Sequence, residues 1–292
     1  MVLMLLAILT SAVLTLIFKF FGIWRVNTYH AIVVNYFTAV ICGIIVGGQL
    51  PYSFPLYSAK AGLALLIGVF FITGFNLLGQ TVLKMGVTIG TLMQKMSVLI
   101  TVLYAILWFG EALTAIKSIG IIMAVFSIFI VVTNRDTGFQ FKLPKNSSWK
   151  YLALPALTFL TSGILDSLFL TGQKYGISSG TDIGFITSLF FTAGILGVLG
   201  WFLIREFNGI PQKASVIAGM VLGIANFFSI FFLLNLLDIG WDGSIVFPIF
   251  NVGVLLLSAL GGWLIFKEEM PFYRVLGILL AAFSIYIMSL SI

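Results

Sequence analysis

Charge is scarce in this chain. Asp, Glu, Lys and Arg make up 8% of its 292 residues, against 61% hydrophobic ones, where a soluble domain carries about 25% charged and roughly 45–50% apolar residues. A chain so short of charge has no polar surface to offer water; lipid is the solvent it fits. Cysteine is nearly absent too. Cys42 stands alone inside an apolar run, which excludes an intrachain disulfide and a cysteine-ligated metal site. His30 is the one histidine, so no HExxH pattern exists, and no Walker loop or metal-spaced His, Asp and Cys cluster is found. No cofactor is expected. Without a nucleotide-binding motif, a pump built from this chain has to draw on an ion gradient or on its substrate's own. A basic cluster is also missing. The fifteen Lys and Arg give a net charge of +6 but are dispersed, which speaks for membrane topology and against a nucleic-acid partner.

What the sequence has is long apolar runs. It starts in one, MVLMLLAILTSAVLTLIF, with neither a basic stretch nor a small-residue cleavage site ahead, so a retained span is expected and not a signal peptide. A bilayer core of about 30 Å needs about 20 apolar residues in a helix. Ten segments qualify, at 2–21, 30–48, 60–82, 88–109, 113–133, 151–171, 183–204, 214–236, 243–265 and 272–291. The longest polar stretch, NRDTGFQFKLPKNSSWK at 134–150, separates a first half, 1–133, from a second, 151–292.

The halves resemble each other. NYFTAVICG at 35–43 matches LFFTAGILG at 189–197, and FGEALTAIKSIGIIMAVFSIFIVV from Phe109 matches FKEEMPFYRVLGILLAAFSIYIMS from Phe266. The offsets, 35 to 189 and 109 to 266, are 154 and 157 residues, so one duplication accounts for both. Five spans per copy is an odd number, and the second copy enters the membrane from the opposite side. The expected fold class is therefore an all-α membrane protein of ten transmembrane helices in a 5+5 inverted repeat. Pairs such as Gly43/Gly47 and Gly219/Gly223 are read as sites of close helix packing.

Counted by membrane side, span ends included, one side carries Lys19, Arg25, Lys84, Arg135, Lys142, Lys145, Lys150, Arg205, Lys213, Lys267 and Arg274. The side holding the N-terminus carries Lys60, Lys117 and Lys174. The positive-inside rule puts the first side in the cytoplasm and both termini outside.

Ten spans, the five-plus-five repeat, and Glu111 and Glu268 just ahead of the last span of each half resemble the drug/metabolite transporter superfamily, EamA-like family. The resemblance covers nearly the whole chain and rests on arrangement more than on any single motif. It implies a multi-pass protein of the plasma (inner) membrane. It also implies secondary transport of small metabolites, often amino acids or other polar compounds and frequently as export. Members commonly keep both termini in the cytoplasm, the reverse of the charge count.

Polar side chains inside the spans are the candidate site. A charge near the bilayer centre costs about 2.5–3.5 kcal/mol on insertion scales and usually faces the bundle interior. Lys95, in IGTLMQKMSVLITVLYAIL, reads either as a lysine snorkelling toward the nearer membrane face or as a cationic lining that attracts a carboxylate. Asp166 is the acid well inside a span. It reads as a partner for Lys95, at an axial offset of roughly 12 Å, as a coupling-proton site, or as an acid bonded to nearby hydroxyls. Asn76, Gln80, Gln94, Asn226 and Asn251 form an amide set, with Asn76 and Asn226, and Gln94 and Asn251, in corresponding places of the repeat. Each reads as interhelical glue or as part of a shared site. Asn35 and Tyr36 are lesser candidates. Tyr104, Phe227, Phe228 and Phe250 are candidate walls for an amphipathic substrate. Pro248 is expected to break the ninth span near Asn251. Glu111, Glu268 and Glu269 are read as helix caps, Pro271 as a first-turn residue, and His30 as a surface residue at a span end. These residues suit a secondary transporter of small polar metabolites working by alternating access. A passive facilitator or channel, or a membrane-embedded lipid-modifying enzyme, is the alternative.

Overall fold

The structure is a computed structural model that describes residues 2–24, 26–85, 87–132, 150–203, 212–267 and 270–290. Among these it is all helix. The elements are α1 (Val2–Ile23), α2 (Thr28–Gly47), α3 (Ala59–Met85), α4 (Val87–Met96), α5 (Val98–Phe109), α6 (Ala115–Val132), α7 (Lys150–Lys174), α8 (Ile183–Leu203), α9 (Lys213–Leu237), α10 (Gly243–Phe266) and α11 (Phe272–Ser289). Among the described residues eight helical stretches are long and apolar enough to cross a membrane, and Val2–Phe18 in α1 and Ala115–Val131 in α6 are shorter apolar stretches. The chain is an all-α membrane protein. The 134–150 stretch, apart from its last residue, and Glu268 and Glu269 lie outside the described residues, as do Arg25, Arg135, Lys142, Lys145 and Arg205 from the charge count.

The apolar runs fall where helices form, with two exceptions. The 88–109 run carries a one-residue interruption: α4 ends at Met96 and α5 begins at Val98, with Ser97 between them still at helical angles, φ −59° and ψ −16°. The Ser97 hydroxyl donates to the Gln94 carbonyl at 2.5 Å, the acceptor that the Val98 N–H would use in an unbroken helix, and the Ile100 N–H turns back to Ser97 O at 2.9 Å. A serine side chain competing for a backbone carbonyl is a known way to interrupt the ladder. Conversely, α10 runs unbroken through Pro248. The expected break is absent there and lies in the fourth span instead.

The chain divides into two compact units. Unit 1 holds Met1–Phe75 and Leu168–Gly240; unit 2 holds Asn76–Ser167 and Trp241–Ile292. Each draws on both halves of the sequence, and the divisions fall inside α3 and α7.

In unit 1, α2 packs on α9 and α8, and α1 on α9. The approach is close because small residues permit it. A Cβ on Gly219 would come within 2.6 Å of the Ala31 carbonyl, and one on Gly223 within 2.5 Å of the Asn35 carbonyl. On the other face of α2, Gly43 and Gly47 make room for Thr187 and Ile183 of α8. Phe21, Val26, Ala31, Ala218 and Leu222 form the apolar contact between these helices. In unit 2, α6 packs on α11, and α10 packs on α5, α11 and α6.

Candidate functional site

The site candidates separate between the units. Unit 2 brings three of them together. Lys95 sits in the last turn of α4, two residues before the break. Its side chain is buried at 9% exposure, and its ammonium donates to Asn251 Oδ1 of α10 at 3.4 Å. It does not snorkel toward a membrane face. The Asn251 carboxamide is itself anchored, donating from Nδ2 to the Phe247 carbonyl one turn back at 3.1 Å. Asp166, half-buried on α7, is acted on by both the Lys95 charge and the Asn251 side chain. The two charges are thus coupled across a neutral amide. The axial offset read from the sequence is bridged by Asn251 and by the reach of the lysine stem.

An ammonium has three donors. The Lys95–Asn251 bond is long by hydrogen-bond standards, whose usual range ends near 3.2 Å.

The other candidates take different places. Gln94 precedes Lys95, is half-buried, and contributes its backbone carbonyl to the Ser97 hydroxyl. Asn76 and Gln80 lie four residues apart on α3, hence on one face, with Thr73 one turn earlier. From Gly74 to Gln80 every residue of α3 is half-exposed, so no stripe of this turn is sealed against protein. Phe250 is buried beside Asn251 but points about 100° around α10 from it. The Tyr104 ring stacks on Trp108 at 6.0 Å and meets Phe109 edge-on at 5.4 Å, on its own helix.

Asn226 is in unit 1. The repeat suggests a shared site with Asn76, but Asn226 donates to Asn35 Oδ1 at 3.1 Å, and both are buried. Tyr36 is fully buried and its hydroxyl has no partner among the described residues. It is ringed by Phe71, Phe75 and Phe190 at 6.1–6.3 Å between centroids. Phe227 is buried as well, against Phe228 and Phe231.

Two sequence readings, of His30 and Glu111, need correction, and Lys117 proves to be buried. His30 is not a surface residue; it is 3% exposed and stacks on Trp201 at 4.3 Å. Its N-terminal position on α2 hides this, because the burying partner is 171 residues away in sequence, on α8. Lys117, counted among the charges on the side of the N-terminus, is buried. It is 2% exposed and donates to the Ala112 carbonyl at 2.9 Å and to Asp242 Oδ2 at 2.8 Å. Glu111 is a cap, but not of the helix that follows it. Its carboxylate accepts from the Gly243 N–H and the Ser244 N–H, each at 2.8 Å, and from the Ser244 hydroxyl at 2.5 Å, all at the start of α10. A carboxylate is favoured there by the helix dipole and the unpaired first-turn N–H groups.

The enzyme alternative gains one pattern. Gly176-Ile177-Ser178-Ser179-Gly180 has the G-x-S-x-G spacing. That motif needs a strand-to-helix turn that thrusts the serine outward. Here it joins two helices, and Ser178 is 5% exposed. No group of three or more His, Cys, Asp or Glu able to hold a metal occurs among the described residues.

No protein-family model matches the chain. An uncharacterized protein of Haemophilus influenzae is similar at 25% identity over 289 residues, covering 96% of this chain and 94% of that protein. A solved structure, described only as a crystal structure of a protein, superposes with a TM-score of 0.78 at 14% identity and covers 99% of both chains. That likeness establishes a shared fold over the full length.

Proposed function

We propose that the chain is a secondary transporter of small polar metabolites, of the drug/metabolite transporter type with an EamA-like 5+5 inverted repeat. It would reside in the plasma (inner) membrane, and its substrate carries an anionic or zwitterionic group that meets Lys95. The observation that carries the reading is a buried ammonium, loosely held by Asn251 and coupled to Asp166, beside an interrupted span. Ionisable groups inside membrane helices mark substrate and ion pathways, and interrupted helices are a recurrent feature of transporter sites. Asp166 is the candidate carrier of a coupling proton.

The packing supports the repeat. Helices that the duplication makes counterparts lie against each other: α2 with α8, α5 with α10, and α6 with α11. A twofold relation produces such self-paired contacts, since elements next to the axis meet their own copies.

A thermal-shift screen of detergent-purified protein against amino acids, nucleobases and sugar metabolites will identify the ligand. In proteoliposomes, Lys95→Ala is then expected to lose flux of that ligand while remaining monodisperse. A fully active Lys95→Ala protein removes the residue from the mechanism. Saturable counterflow without single-channel conductance separates this reading from a passive facilitator.

A further inference from the structure

We infer that Glu111 is a positioning residue for the Lys95–Asn251–Asp166 constellation, acting through α10; this rests on the reading of that constellation as the substrate site. The path begins where α5 ends. Gly110, at φ +65°, turns the chain in the left-handed region, and the Glu111 N–H reaches back to Ala105 O at 3.3 Å. This is the turn that commonly closes a helix at glycine. It places Glu111, 7% exposed, against the start of α10, where its carboxylate takes three hydrogen bonds.

The position that would cap α10 locally is Asp242, a residue type well suited to that task. It makes no side-chain cap bond. Its carboxylate goes to Lys117 instead. Capping of α10 is therefore supplied from a residue 132 positions away in sequence, and the consequence is a tie between two spans. One is the α4–α5 span, which carries Lys95. The other is α10, which carries Asn251. Asn251 lies seven residues beyond Ser244, about 10.5 Å along α10 and within about 20° of the same face. The helix between them is continuous, so a slide or rotation at the capped end is passed to the carboxamide that joins Lys95 to Asp166. In a water-poor setting such carboxylate bonds are strong and directional.

A double-mutant cycle on the full-length, detergent-purified chain tests this without a substrate. The melting midpoint is measured for Glu111→Gln, Asn251→Ala and the double variant. Residues this far apart with no shared partner normally give additive effects. The expected result is non-additivity: Glu111→Gln lowers the midpoint clearly less in the Asn251→Ala background than in the native one. Glu111→Asp, which keeps the carboxylate, stays nearer the native midpoint and is taken through the same cycle if Glu111→Gln yields no folded protein. Equal shifts in both backgrounds overturn the inference and leave a simple cap. Because no flux is measured, a fully active Lys95→Ala protein would sink the transport reading while leaving this coupling standing.

Discussion

In unit 1 several buried polar groups answer one another across helices, the Tyr36 hydroxyl excepted, which has no partner among the described residues. Asn226 bonds Asn35, Ser11 meets Ser229 at 2.5 Å, the Tyr29 hydroxyl donates to the Gly197 carbonyl at 2.7 Å, and Lys60 pairs with Asp182. The connection after α2 is tied down in the same way, with the Tyr52 N–H on Ser188 Oγ at 2.7 Å and its hydroxyl on Thr192. In unit 2, Lys95 has one long bond and Asp166 relies on a shared amide. Both units place polar side chains in membrane spans, and residue type does not tell glue from site. Satisfaction does: a buried polar group with its bonds made is structural, while one left short points to a ligand.

The sharpest way to break that contrast is to attack unit 1 where it is tightest. Gly223→Val puts a branched side chain where a Cβ already lies 2.5 Å from a backbone carbonyl of α2. Backbone cannot yield as a flexible side chain can, so overpacking here is expected to exceed the usual cost of about 1–3 kcal/mol and leave little folded protein in size-exclusion chromatography. Gly79→Ala in unit 2 meets nothing within 4 Å and is expected to melt at the native temperature or above, since alanine is the better helix former by about 1 kcal/mol. A folded Gly223→Val protein would mean that α2 and α9 are not held at backbone contact.

The next test sets function against glue. Removing one partner of a buried charge interaction costs about 2–5 kcal/mol, so Lys95→Met is expected to reduce flux of the identified ligand by about two orders of magnitude. The Asn35→Leu, Asn226→Leu double variant removes an amide pair, and such interhelical bonds average about 0.6 kcal/mol. Its flux is expected to stay within a factor of about three of native, measured in the same vesicles. Reversed outcomes would move the site from unit 2 to unit 1.

Much of the fold was legible because span length is a local property. Twenty apolar residues in a row mark a membrane helix wherever they occur, and among the described residues eight helical stretches are long and apolar enough to cross a membrane. What the sequence hid is set by distant partners. His30 and Lys117 read as end residues until Trp201 and Asp242 are placed beside them. The Asn35–Asn226 pair spans 191 residues, and its symmetry with Asn76 pointed elsewhere. Lys95 and Asn251 were each visible as candidates, but their bond was not, because register between spans is settled by packing. The fourth-span break misled for a different reason: proline carries an explicit breaking signal, and a mid-span serine does not.

That misplacement yields the smallest and most specific prediction. Pro248 deprives the Ser244 carbonyl of its helical donor, yet α10 stays continuous and Ser244 is held at its N–H and hydroxyl by Glu111. Pro248→Ala restores the missing bond in an intact helix, and flux is expected within a factor of about two of native, with a melting midpoint equal or higher. Ser97→Ala removes the hydroxyl that occupies the Gln94 carbonyl, freeing that acceptor for the Val98 N–H and allowing α4 and α5 to join. Rejoining winds Lys95 about α4 relative to Asn251, so a several-fold loss of flux is expected with little loss of stability, a hydroxyl-to-carbonyl bond contributing only about 1 kcal/mol. The two variants are of similar size and lie in the fourth and ninth apolar runs of the sequence. If Pro248→Ala proves the more damaging, the functional interruption belongs to the ninth span, and the loosely held ammonium beside Ser97 loses its claim to be where the chain changes shape.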